Sequence, residues 1–187
     1  MSFSDRTNKD IFLDMNKPRL YVALYALGGE LGGTFPTAGQ PREYHWALLV
    51  APKNETPETM GKRWLFRPRL PHEEADTRRK WTVKMNDVKL KRHQNILVRI
   101  MIGKIKNWSE AIKIIGMQGG EPMAETHRTW IKAIIRALRE DGSCCKHVPE
   151  WEDVEDVCER YADQKIYHEE CFNGDDKEVP TLDMIFK

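Results

Sequence analysis

The stretch LVRIMIGKIKNWSEAIKIIGM, residues 97–117, decides the fold. Its first half alternates, with Val98, Ile100 and Ile102 on one face and Arg99 and Met101 on the other, the period of two that marks a strand. Past Ile105 the period changes. Asn107-Trp108-Ser109-Glu110 opens a helix, with Asn107 or Ser109 as its cap, that runs to about Met117 and is stopped by Gly119-Gly120.

Upstream of this switch the apolar runs are strand-like. RLYVALYAL (Arg19 to Leu27) is rich in Val, Leu and Tyr and ends at Gly28-Gly29, and YHWALLVAP (Tyr44 to Pro52) ends at its proline. Between them GGELGGTFPTAGQPRE carries five Gly and two Pro in sixteen residues and reads as a loop. Two further runs, 62–70 and 80–88, bring aromatic and β-branched residues, and Pro68 and Pro71 mark the first of them as a strand end or an edge.

Downstream the runs are helical. From about Thr126 to Arg139, Trp130, Ile131, Ile134, Ile135 and Leu138 form one apolar stripe, and Gly142 ends it. A third helix from Trp151 to about Glu170 sets Val154, Val157, Cys158 and Tyr161 against an acidic face, and the tail VPTLDMIF reads as a strand or an arm. Strands first and helices after predict an α+β fold, an antiparallel sheet of five or six strands followed by three helices packed on it. The expected division is one domain, with a polar leader over 1–18, the sheet over 19–105, the helical part over 106–172 and a tail over 173–187.

The composition narrows the function classes. With 187 residues, 32% charged, and a net charge of +1, the chain is neither a wholly basic nucleic-acid binder nor an acidic tail protein. No window reaches the length of a membrane span, and MSFSDRTNKD lacks the apolar core of a signal peptide, so a cytoplasmic protein with no membrane contact is expected. Four Cys, unevenly placed, predict reduced thiols rather than a disulfide framework. The charges are nonetheless segregated. Residues 62–106 hold 14 Lys and Arg against 4 Asp and Glu, whereas 140–187 hold 5 against 15. These halves could face each other across the fold or across a homodimer, or the basic one could meet phosphate through Lys89, Lys91, Arg92 and the Arg78-Arg79-Lys80 run.

Phosphate-cradling, dinucleotide, zinc-protease and serine-elbow motifs are absent. Cys144, Cys145, His147, Cys158, His168 and Cys171 crowd the last third but contain no CxxC pair, and Cys158 lies on an apolar helix face. Neither a metal nor a cofactor is therefore expected.

What remains is His45, at the start of the second strand, and Thr126-His127-Arg128, at the start of the second helix. YHWALLV resembles the histidine strand of the lecithin:retinol acyltransferase family, circularly permuted papain-like thiol enzymes in which a strand His precedes a Cys at a helix N-terminus. That helix opens in the family with Asn-Cys-Glu-His-Phe-Val, and the matching place here is Thr126 to Ile131. The chain also resembles a group of uncharacterised fungal proteins with a YHWAL strand, an LVRI-type strand and a TWI helix, over most of residues 19–172. The resemblance implies a permuted papain-like fold with His45 as base. It also puts His127 where the family has its thiol, the group whose pKa a helix N-terminus lowers. Thr126 and Thr129 offer only alcohols, and Cys144 and Cys145 lie beyond the wrong end of the helix.

The leading expectation is thus a non-catalytic or remodelled pocket protein of a cytosolic pathway. It would bind a small molecule or a protein partner near His45, His127 and Thr126, with Tyr44, Trp46 and Arg128 lining the place. The enzyme alternative is an acyl transferase or amide hydrolase using His45 as general base and Thr126 or a mobile Cys as nucleophile. A nucleic-acid-binding module through the basic 62–106 region is the second alternative. Against all three stands the plain reading that His45 is a half-buried histidine held by a loop carbonyl, His127 a surface residue, and Trp46 and Trp130 core.

Overall fold

Alternating apolar residues on both strand faces demand cover on both sides of a sheet, and the computed structural model supplies it. It describes residues 18–26, 44–68, 81–90, 96–118, 126–168 and 178–185. The strands are β1 (Arg19–Ala26), β2 (Tyr44–Ala51), β3 (Met60–Pro68), β4 (Trp81–Lys89), β5 (Ile96–Ile105), β6 (Cys145–Lys146) and β7 (Thr181–Asp183). The helices are α1 (Trp108–Gln118), α2 (His127–Asp141) and α3 (Trp151–Tyr167). The sheet order is β4-β3-β2-β1-β5-β6, with β7 also beside β5. The fold is α+β, a mostly antiparallel sheet followed by three helices packed on it.

β1 to β4 form a meander in which each strand pairs antiparallel with the next. β5 then joins the far side of β1, also antiparallel, with Val22 opposite Ile100. One face of the sheet carries Leu20, Val22, Leu24, Trp46, Leu48, Val50, Ile100 and Ile102, and it packs against Ile115 of α1, Trp130, Ile134 and Leu138 of α2, and Val154 and Cys158 of α3. Each such buried aliphatic or aromatic side chain contributes about 1.5 to 3 kcal/mol of transfer free energy. The other face carries Tyr21, Ala23, Tyr25, Ala47, Leu49, Leu65 and Met101, covered in part by Leu90 and Val179. Leu90 lies so close to the sheet that a Cβ on Gly61 would fall 2.6 Å from its Cδ2 and 2.6 Å from the Val50 carbonyl oxygen.

Local signals in the sequence explain the helix ends. Asn107, not Ser109, caps α1, accepting from the Glu110 N–H at 3.3 Å. Gly142 closes α2 at φ 61°, a left-handed conformation glycine adopts freely, and its N–H donates to the Leu138 carbonyl. Gly119-Gly120, Gly28-Gly29 and the 28–43 loop lie outside the described residues.

The sheet has seven strands, five long ones and two short ones. The tail that reads as a strand or an arm supplies β7, whose parallel pairing with Arg99 to Met101 makes the sheet not purely antiparallel, and β6, two residues between α2 and α3, is the strand the sequence did not suggest. A two-residue strand has too few residues to display a period. The third helix ends at Tyr167, short of Glu170, within the described residues. Within the basic run Lys62, Arg63 and Arg99 are buried, at 3%, 2% and 7% exposed. Among the described residues Lys62 pairs with Asp87 across β3 and β4, Arg99 of β5 with Glu55 of the 52–59 connection, and Arg128, Lys132 and Arg139 of α2 with Glu155, Glu152 and Glu150 on the third helix or its threshold. The acidic helix thus meets the bases of α2, which the count over 62–106 did not include. Lys89 is exposed and pairs with Glu58, while Lys91, Arg92 and 78–80 lie outside the described residues.

Candidate functional site

The β2–β3 ladder runs only from Ala47 opposite Leu65 to Val50 opposite Lys62, so Tyr44 and His45 start β2 beyond their last paired neighbours on that side. The N-terminus of α2 comes to this open end. Its start is set by a reciprocal cap: the Thr129 N–H donates to Thr126 Oγ1 at 3.1 Å, and the Thr126 N–H donates to Thr129 Oγ1 at 3.1 Å. His127 is therefore the first helical residue. Its ring centroid lies 4.7 Å from that of His45, with the planes tilted by 56°.

The environment keeps this pair from carrying two charges. Burial first, then the neighbouring His45, then Arg128, lower the His127 pKa from 6.5 to about 4. The positive end of α2 acts in the same sense. His127 is neutral near neutral pH, and its buried Nδ1 has no hydrogen-bond partner.

The third helix forms the back wall. Arg128 Nε lies 2.6 Å from Glu155 Oε1, and a terminal nitrogen of the same guanidinium contacts Glu159. The guanidinium sits 5.3 Å over the Trp46 ring, which in turn stands 5.6 Å from Trp151. Tyr44 donates its hydroxyl to Asp163 Oδ1 at 2.5 Å. The predicted set thus divides by what each group does. His45, His127 and Arg128 meet at one end of the sheet, Tyr44 and Trp46 are buried among core residues, and the exposed Thr126 hydroxyl is engaged in the cap.

Cys144 and Cys145 follow the far end of α2, and Cys158 lies on α3 between Glu155 and Glu159. Cys144, Cys145 and Cys158 are free and buried, and burial pushes each thiol up, Cys145 to about 11. Such thiols are poor nucleophiles near neutral pH. Cys171 lies outside the described residues. Among the described residues no three His, Cys, Asp or Glu side chains gather as a metal site would need. No described helix is long and apolar enough to cross a membrane.

Sequence reasoning missed a second polar cluster on the opposite face of the sheet. Arg99 reaches Glu55 at 2.8 Å, donates from Nε to Thr181 Oγ1 at 2.7 Å, and lies 5.2 Å over the Tyr21 ring. Burial, and next the Glu55 carboxylate, push the Tyr21 hydroxyl up to about 12. The alternation of β5 placed Arg99 on the second face, but nothing local announced that this face is covered. The cluster ties the 52–59 connection and β7 to the sheet, which is a structural task.

A groove between α2 and α3 lies toward the other end of α2, where Lys132, Arg136 and Arg139 face Glu150 and Glu152. Its charges answer one another across the groove.

A family model described as a family of unknown function, DUF6914, matches residues 17–187. No curated protein and no solved structure matches the chain.

Proposed function

We propose, from the premise that this chain belongs to the family of unknown function DUF6914, that it is a non-catalytic pocket protein binding a small molecule beside His45 and His127. The observation that carries this reading is the approach of the two imidazoles to 4.7 Å across the open end of the β2–β3 ladder. A strand histidine facing the first residue of a helix that follows the sheet is what a permuted papain-like arrangement requires. In that arrangement the facing residue is a thiol, and here it is a neutral imidazole, so the base is kept and the nucleophile is not.

Three features favour binding over catalysis. The Thr126 hydroxyl is committed to the helix cap, the described thiols are buried and pushed up, and Arg128 is held by Glu155 and Glu159. His127 keeps a buried ring nitrogen, Nδ1, without a hydrogen-bond partner. With reduced thiols, we place the protein in the cytosol, where that state is the norm.

The test follows the two imidazoles by NMR while a library of small acids, amides and alcohols is added. Ligands that move both rings, and that bind neither His45→Ala nor His127→Ala, support the reading. Labelling of Thr126 by a fluorophosphonate, or of a cysteine by iodoacetamide in a His45-dependent manner, would replace it with the acyl transferase or amide hydrolase reading. A library that leaves both rings unmoved would reduce the pair to a structural contact.

A further inference from the structure

We infer that the molecule taken at this site is a carboxylic acid with an apolar body, its carboxylate accepting hydrogen bonds from Trp130 Nε1–H and from the His127 imidazole. This rests on the binding reading above and names its ligand class. Two buried nitrogens on α2 carry it. Trp130 is 0% exposed, and its Nε1 has no hydrogen-bond partner. The buried Nδ1 of His127 has none either.

An indole N–H can only donate, and a neutral imidazole with its proton on Nδ1 donates there too. Residues three apart on a helix share a face with their Cβ atoms about 5 to 6 Å apart, so both side chains leave α2 on the same side. Native interiors seldom leave such groups unanswered. Two donors on one helix face call for an acceptor, and the positive end of α2 favours a negative one over a neutral one.

The apolar body follows from the neighbours. Trp130 stacks on Phe66 at 5.8 Å with planes within 13°, and Phe66 stacks on Trp81 at 5.1 Å with planes within 8°. This row of near-parallel rings borders β3 at the end where the β2–β3 ladder has already stopped. An aryl or aliphatic acid entering there sets its chain against the rings and its carboxylate toward α2.

The experiment uses the full chain, labelled with nitrogen-15, and phenylacetate as the probe. Trp130→Phe, which keeps a ring in the stack, assigns the indole proton by its loss. The expected result is a downfield movement of the Trp130 indole proton together with movement of the His127 ring. Trp130→Phe should then bind phenylacetate at least about tenfold more weakly, as loss of a hydrogen bond to a charged acceptor entails. Phenylacetamide should bind more weakly than phenylacetate, and equal or tighter binding of the amide would overturn the choice of a carboxylate. If the imidazoles respond to phenylacetate while the indole proton stays in place, this inference fails and the binding reading stands. If neither responds to phenylacetate or to any member of the library, both fail.

Discussion

Lowering the pH should remove a defined part of the stability through His127. Its pKa falls from 6.5 to about 4 on folding because the ring is buried and faces His45 and Arg128. The unfolded chain therefore binds a proton between those values that the folded chain refuses, and stability must fall as the pH drops through that window. The contribution is fully present above about pH 6.5 and is exhausted below about pH 4. Each pH unit is worth about 1.4 kcal/mol, so a fully desolvated ring would give roughly 3 kcal/mol. Solvent at the half-buried ring screens the charge and brings the expectation to about 1 to 2 kcal/mol. Urea titrations of the parent and of His127→Gln across this range isolate the effect, because the other titrating groups are shared by the two proteins. The parent should lose about 1 to 2 kcal/mol more than the variant on acidification. Parallel pH profiles, agreeing within about 0.3 kcal/mol, would mean that the ring titrates like a free histidine and that the paired, buried placement is wrong.

Three further outcomes test the architecture. Gly61→Ala drives a Cβ to 2.6 Å from the Val50 carbonyl oxygen, so it should cost more than about 2 kcal/mol in chemical denaturation; a change near zero would mean that β3 and the Leu90 crossing are not packed this way. Arg99→Ala leaves Glu55 buried without its partner and should cost about 3 to 5 kcal/mol, with Glu55→Gln in the same chain recovering part of it; a loss below 1 kcal/mol would show the pair to be solvated. Cys144, Cys145 and Cys158 should resist a thiol reagent in the native protein and react on adding denaturant, checked by peptide mapping; prompt native labelling of any of the three would contradict their burial.

Much of the fold is written in local sequence. The change of period after Ile105, the Asn107 cap and the Gly142 stop are decided by hydrogen bonds and φ preferences within a few residues, and they appear in the structure where the residues stand. The apolar stripe of α2 is legible for the same reason, since a helix repeats its face every 3.6 residues whatever it packs against. The placing of His45 and His127 was legible only through a resemblance. Their contact joins residues 45 and 127, and its distance depends on where the β2–β3 ladder ends and how α2 lies across it.

Only the tertiary structure decided which charges are buried. Arg99 looks like any arginine on the polar face of an alternating strand until Glu55, Thr181 and Tyr21 arrive from three other parts of the chain. Arg128 likewise becomes a brace for α2 only because Glu155 and Glu159 present their carboxylates from the third helix. β6 belongs with these, because a strand of two residues carries no period of its own, and so does the partner β5 that the tail strand β7 finds. Periods and caps act over a few residues and can be read along the chain, whereas the burial of a charge is settled by partners that only folding brings together.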